Sequence, residues 1–168
     1  MTEIVFYHLT ELRMEQALPD LLEKCLARDW NVVVQTGTEE RRDALDDYLW
    51  SYKEGSFLPH ACEESLTGDA SEQPIWLTSL TENPNDAAVR FIVAGAVAPY
   101  MSSYTRGIYM FDGHDEEAVI EARERWKIEK KLTAFLNGCK PILTLPHIYL
   151  SKYPFIINNK VIANVTTA

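Results

Sequence analysis

A chain of 168 residues, 46% of them hydrophobic, with a formal net charge of −9, is long enough for one globular domain that buries roughly two thirds of its unfolded surface. A sequence pI near 4.9 argues against a large direct nucleic-acid footprint, which needs dense Lys and Arg to displace counterions. Three widely separated cysteines, Cys25, Cys62 and Cys139, with no CxxC, suggest neither a disulfide framework nor a zinc ribbon and fit a reducing cytosol.

Met1-Thr2-Glu3-Ile4 lacks the basic stretch and long apolar run of a secretory signal, and its apolar residues begin a first strand, Ile4 to Leu9. After a loop at Thr10 to Arg13, Met14, Leu18, Leu21, Leu22, Cys25 and Leu26 recur at helical spacing. Pro19 moves the expected regular start of that helix toward Leu18. The β-branched run Asn31 to Gln35 is a second strand, and Thr38 is the expected N-cap of a second helix. Ala61 to Gln73 and Thr81 to Asp86, the latter with Asn83-Pro84-Asn85, are loops around a strand at Ile75 to Thr78. Strands follow at Val89 to Val93 and Ile108 to Phe111, and a long helix runs from about Asp115 to Leu136. Alternating strands and helices of this length predict an α/β fold with a mostly parallel, doubly wound sheet. The tract Pro141 to Ile157 is broken by Pro146, Lys152 and Pro154 and falls short of a membrane span, so a soluble cytoplasmic protein is expected.

A parallel sheet invites a Rossmann-like, nucleotide-dependent enzyme as an alternative, but the turns carry neither GxGxxG nor GxxxxGK[ST]. His8, His60, His114 and His147 have no metal-ligand spacing, and there is no GxSxG elbow. The carboxylates look scattered along helix faces. No cofactor, metal or catalytic residue is expected.

The informative segment is Ala122-Arg123-Glu124-Arg125-Trp126-Lys127, with Lys130 and Lys131 behind it. Residues 123–140 hold six Lys or Arg against two Glu, a local +4 that leaves −13 for the rest of the chain. On a helix, Arg123, Trp126, Lys127 and Lys130 fall at i, i+3, i+4 and i+7, a face suited to an acidic peptide bearing an aromatic residue. Two plainer readings stand beside this one. Acids at Asp115, Glu116 and Glu117 and lysines at the far end complement a helix dipole without any ligand, and Val119, Ala122 and Trp126 form an apolar stripe that would leave the indole half buried.

Several stretches together resemble the chi subunit of bacterial DNA polymerase III. They are Val5-Phe6-Tyr7-His8-Leu9, Ala44 to Trp50 followed by Ser56-Phe57-Leu58-Pro59-His60, Pro74-Ile75-Trp76-Leu77, and Ala122 to Lys127. The resemblance spans about residues 1–135 and implies a non-catalytic adapter. Proteins of that family tether the clamp-loader complex to single-stranded-DNA-binding protein by gripping its acidic C-terminal tail, which ends in phenylalanine. Carried over, the tail-binding positions are Arg123, Trp126, Lys127 and Lys130. Trp50 and Phe57 match positions that meet a second partner, a psi-like clamp-loader component or a competing helicase, although such residues are usually packed inside. The implied activity is that of the polymerase complex, with no strong direct nucleic-acid binding and no membrane partner. The expected division is a chi-like α/β domain over 1–136 and a divergent segment over 137–168, whose β-prone stretches Ile142 to Leu145, His147 to Leu150 and Val161 to Val165 would add edge strands or pack as an irregular tail. Asp112 places an acid near the implied tail site, where the family is apolar.

Overall fold

Buried, β-branched runs build one seven-stranded, wholly parallel sheet in the order β3-β4-β2-β5-β6-β1-β7. The computed structural model describes residues 2–66, 68–137 and 143–144, with the backbone alone for 132–137 and 143–144. The strands are β1 (Glu3–Leu9), β2 (Val32–Gln35), β3 (His60–Ala61), β4 (Ile75–Thr78), β5 (Val89–Ile92), β6 (Arg106–Asp112) and β7 (Leu143–Thr144). The helices are α1 (Met14–Leu26), α2 (Glu39–Ser51) and α3 (Glu116–Asn137). The short β7 falls inside the β-prone stretch at 142–145 and pairs with β1. The stretches at 147–150 and 161–165 lie outside the described residues, as do Cys139 and His147.

Alternation along each strand sorts the core into two layers. Val32 and Val34 join Leu18, Leu22, Leu45 and Leu49 beneath α1 and α2, while Val33 joins Ile4, Phe6, Trp76 and Tyr109 on the face carrying α3. The Phe6 and Tyr109 rings stack there with centroids 4.7 Å apart. Helices on both faces are what a parallel sheet requires to hide both surfaces.

Two local expectations change. The first helix begins at Met14, not Leu18, and runs through Pro19. Leu18, Pro19 and Leu22 are all buried against the sheet, and that packing offsets the one backbone hydrogen bond a proline removes. His60–Ala61, at the start of the predicted loop, is a short edge strand beside β4. The other helix starts agree: Thr38 accepts from the Arg41 amide at 3.3 Å, and Asp115 Oδ1 accepts from the amides of Glu117 and Ala118.

A feature with no sequence signature pins the middle of the sheet. Arg90, on β5, is 0% exposed. Its guanidinium donates to Gln35 Oε1 at 2.9 and 3.1 Å, to the carbonyls of Leu80 and Glu82 at 2.8 and 2.7 Å, and to the Tyr104 hydroxyl at 2.6 Å. The planar fork thus ties β2 to the 80–82 loop and to Tyr104.

Candidate functional site

α3 lies on the sheet with a mixed inner face. Ala122, Arg125, Trp126 and Glu129 turn toward the strands, and Glu129 is buried. Arg125 Nε donates to the Tyr109 hydroxyl at 2.9 Å, and its Nη2 pairs with Glu129 Oε1 at 2.7 Å. Tyr109 in turn donates to the same carboxylate oxygen at 3.0 Å. Burial, reinforced by the Glu129 charge, pushes the Tyr109 phenol well above its ordinary value.

Four of the basic-segment residues follow one edge of that helix. Arg123 and Trp126 are half-buried, whereas Lys127 and Lys130 are exposed. The indole packs against the cluster containing Ile4, Phe6 and Tyr109, and the Lys130 ammonium sits 4.9 Å from its ring centroid. Trp126 Nε1 is buried and finds no hydrogen-bond partner among the described residues. The edge therefore offers exposed positive charge beside a held apolar ring.

A second aromatic surface lies where α2 ends. Trp50 is 56% and Phe57 66% exposed, with ring centroids 5.8 Å apart. Below them, His60 donates from Nδ1 to the Leu58 carbonyl at 2.6 Å, and Trp50 packs on the His60 ring at 4.9 Å. Leu58 is buried at the same time, so the Ser56-to-His60 stretch folds with Leu58 inward and Phe57 outward. The usual fate of such residues, packing inside, is not theirs.

Residues 1–134 match the sequence profile of the family described as DNA polymerase III chi subunit, HolC. The chain belongs to this chi subunit family. A relative, the probable DNA polymerase III subunit chi of Rickettsia prowazekii (strain Madrid E), is 26% identical over 147 residues, which cover 82% of this chain and 88% of the relative. Membership supports an accessory subunit of the replicative polymerase acting in DNA replication.

In this chi-family chain the structure brings Arg123, Trp126, Lys127 and Lys130 together on one edge of α3 and puts Trp50 and Phe57 side by side at the end of α2. Arg125, from the same basic segment, serves the interior instead. Its spacing of four from Glu129 was the available signal.

A cleft of about 1270 Å³ borders the other edge of α3. Glu121, Ala122, Glu124, Arg125 and Ile128 line it, whereas Trp126, Lys127 and Lys130 do not. It opens over the carboxyl ends of β5, β6 and β1, where α/β proteins commonly bind ligands. Asp112 lines this cleft, so the acid expected beside the tail site faces a different surface. The carboxylates that looked scattered in the sequence gather here as well.

The same region fails as a phosphate cradle. A Cβ on Gly37, the lone glycine of the β2–α2 turn, would stand 2.6 Å from the Ala94 carbonyl oxygen. Ala94 and Gly95 adopt left-handed φ values of 52° and 76° to make that approach, and Arg41 Nη1 donates to the same carbonyl. Backbone therefore closes over the amino terminus of α2, the place a nucleotide phosphate would take. Among the described residues there is no cluster suited to a metal ion and no helix long and apolar enough to cross a membrane.

Proposed function

We propose that this chain links the clamp-loader complex to single-stranded-DNA-binding protein by holding that protein's acidic, phenylalanine-ended tail against α3. The observation that carries the reading is the edge formed by Arg123, Trp126, Lys127 and Lys130, in which exposed lysines flank an indole fixed by the core. A guanidinium forks onto a terminal carboxylate, the lysines attract the aspartates, and the indole supplies an apolar wall for the phenylalanine. Binding of this kind weakens with salt, because exposed charge pairs are screened. The reading needs no cofactor and no catalytic residue, and it places the protein in the cytoplasm.

Trp50 and Phe57 form the second surface, for a psi-like clamp-loader component. An exposed aromatic pair, one ring from the end of α2 and one from the loop after it, has the character of an interface anchor. Calorimetry with an acidic peptide ending in phenylalanine tests the first site. Arg123→Ala and Lys127→Ala should each weaken binding, and unchanged affinity in both would remove the site. Trp50→Ala and Phe57→Ala should leave that titration unaffected while abolishing capture of the polymerase partner.

A further inference from the structure

The two edges of α3 carry opposite chemistry. Glu117, Glu121, Glu124 and Ile128 recur at i, i+4, i+7 and i+11 and form one wall of the 1270 Å³ cleft. Leu12 and Ile128, both about half exposed, stand in the lining, and the Ala94-to-Ala98 segment and Phe111 give it an apolar floor. None of the ion pairs among the described residues engages Glu117, Glu121 or Glu124. Two of the three arginines in the lining are already committed, Arg125 to Glu129 and Tyr109, and Arg41 to the Ala94 carbonyl. Arg13 and Arg41 keep their charge, but seven carboxylates line the cleft, so what it presents to solvent is net negative charge around apolar surface.

We propose that this cleft docks a lysine- and arginine-rich amphipathic segment of a partner protein, its apolar side on the floor and its cations against the α3 carboxylates. Charge complementarity selects the occupant. A phosphate-bearing ligand or an acidic tail meets repulsion from Glu117, Glu121 and Glu124, whereas a basic segment gains from them. Apolar floor residues distinguish a peptide from a bare polycation, because only a peptide returns buried apolar area. The chain is then bipolar along one helix, with an acidic partner on the Trp126 edge and a basic partner on the cleft edge.

The test is fluorescence anisotropy of the full chain with a labelled leucine–lysine amphipathic helical peptide. Glu121→Lys/Glu124→Lys should weaken binding at least about tenfold, whereas Glu63→Lys/Glu72→Lys, the same charge change at exposed positions away from the cleft, should alter it less than about twofold. Ile128→Asn, which keeps every charge, should also weaken it, and this variant decides the matter if the double reversal fails to fold. Failure of the wild type to bind, equal effects of the two charge reversals, or an unchanged Ile128→Asn would each overturn the proposal. An acidic phenylalanine-ended peptide, titrated in parallel, reports separately on the Trp126 edge.

Discussion

Trp50 and Trp126 both belong to amphipathic helices and both stand among charged neighbours in the sequence, yet they meet opposite surroundings. Trp50 ends its helix over the edge strand β3, where it meets the rings of His60 and Phe57 and more than half of its surface stays in water. Trp126 lies mid-helix over the sheet, half-buried against a core cluster, with Lys130 across its ring. An aromatic residue at a sheet margin is left for a partner, whereas one packed on the inner strands belongs first to the fold and only by its edge to a ligand. The two surfaces should therefore separate cleanly when stability and binding are measured together.

The largest effect is expected from Trp126→Ala. It removes a half-buried indole and should cost about 2–4 kcal/mol in chemical denaturation as well as abolish tail binding. Trp126→Phe should cost far less, because the same change deletes a buried N–H that has no partner among the described residues. A large loss in the phenylalanine variant would show that the indole nitrogen is satisfied in solution. Next come Arg123→Ala and Lys127→Ala, expected to weaken an acidic phenylalanine-ended peptide by roughly tenfold each at low salt and less at high salt. At the other surface, Trp50→Ala and Phe57→Ala should shift stability by less than about 1 kcal/mol, since exposed side chains contribute little to folding. A collapse of stability there would erase the distinction between the two tryptophans.

A smaller effect concerns pH. Burial raises the Tyr109, Tyr7 and Cys25 groups above their ordinary values, so the unfolded chain releases these protons first as pH rises. Their contribution to stability is intact below the unfolded-state values and declines above about pH 9. Melting temperatures should hold from neutral pH to that point and then fall. Tyr109→Phe, which keeps the ring stacked on Phe6 and leaves Arg125 paired with Glu129, should flatten the decline.

Much of this was legible in the sequence because period and burial coincide. Val32 to Val34 and Ile75 to Thr78 are continuous apolar or β-branched runs, and the strands they build are buried along their whole length. Thr38 and Asp115 cap the helices that their positions suggest. The spacing 123, 126, 127, 130 does share one helix edge. What escaped was set by partners distant in sequence. Nothing in the strand Val89 to Val93 marks Arg90 as buried, and its place is set by Gln35, Leu80, Glu82 and Tyr104, which converge on it. Pro19 reads as a helix breaker until the sheet beneath it is present. The acids of the cleft read as scattered because the cleft exists only once α3, the α1 entrance and the Ala94-to-Ala98 loop are brought together.

The central claim is that the acidic tail meets the edge of α3 and not the aromatic pair of α2. It is tested most directly by following the indole N–H resonances of Trp126 and Trp50 while an acidic phenylalanine-ended peptide is titrated into the isotopically labelled full chain. The account predicts that the Trp126 signal moves to saturation and the Trp50 signal stays in place. Movement of Trp50 with a stationary Trp126 would contradict it.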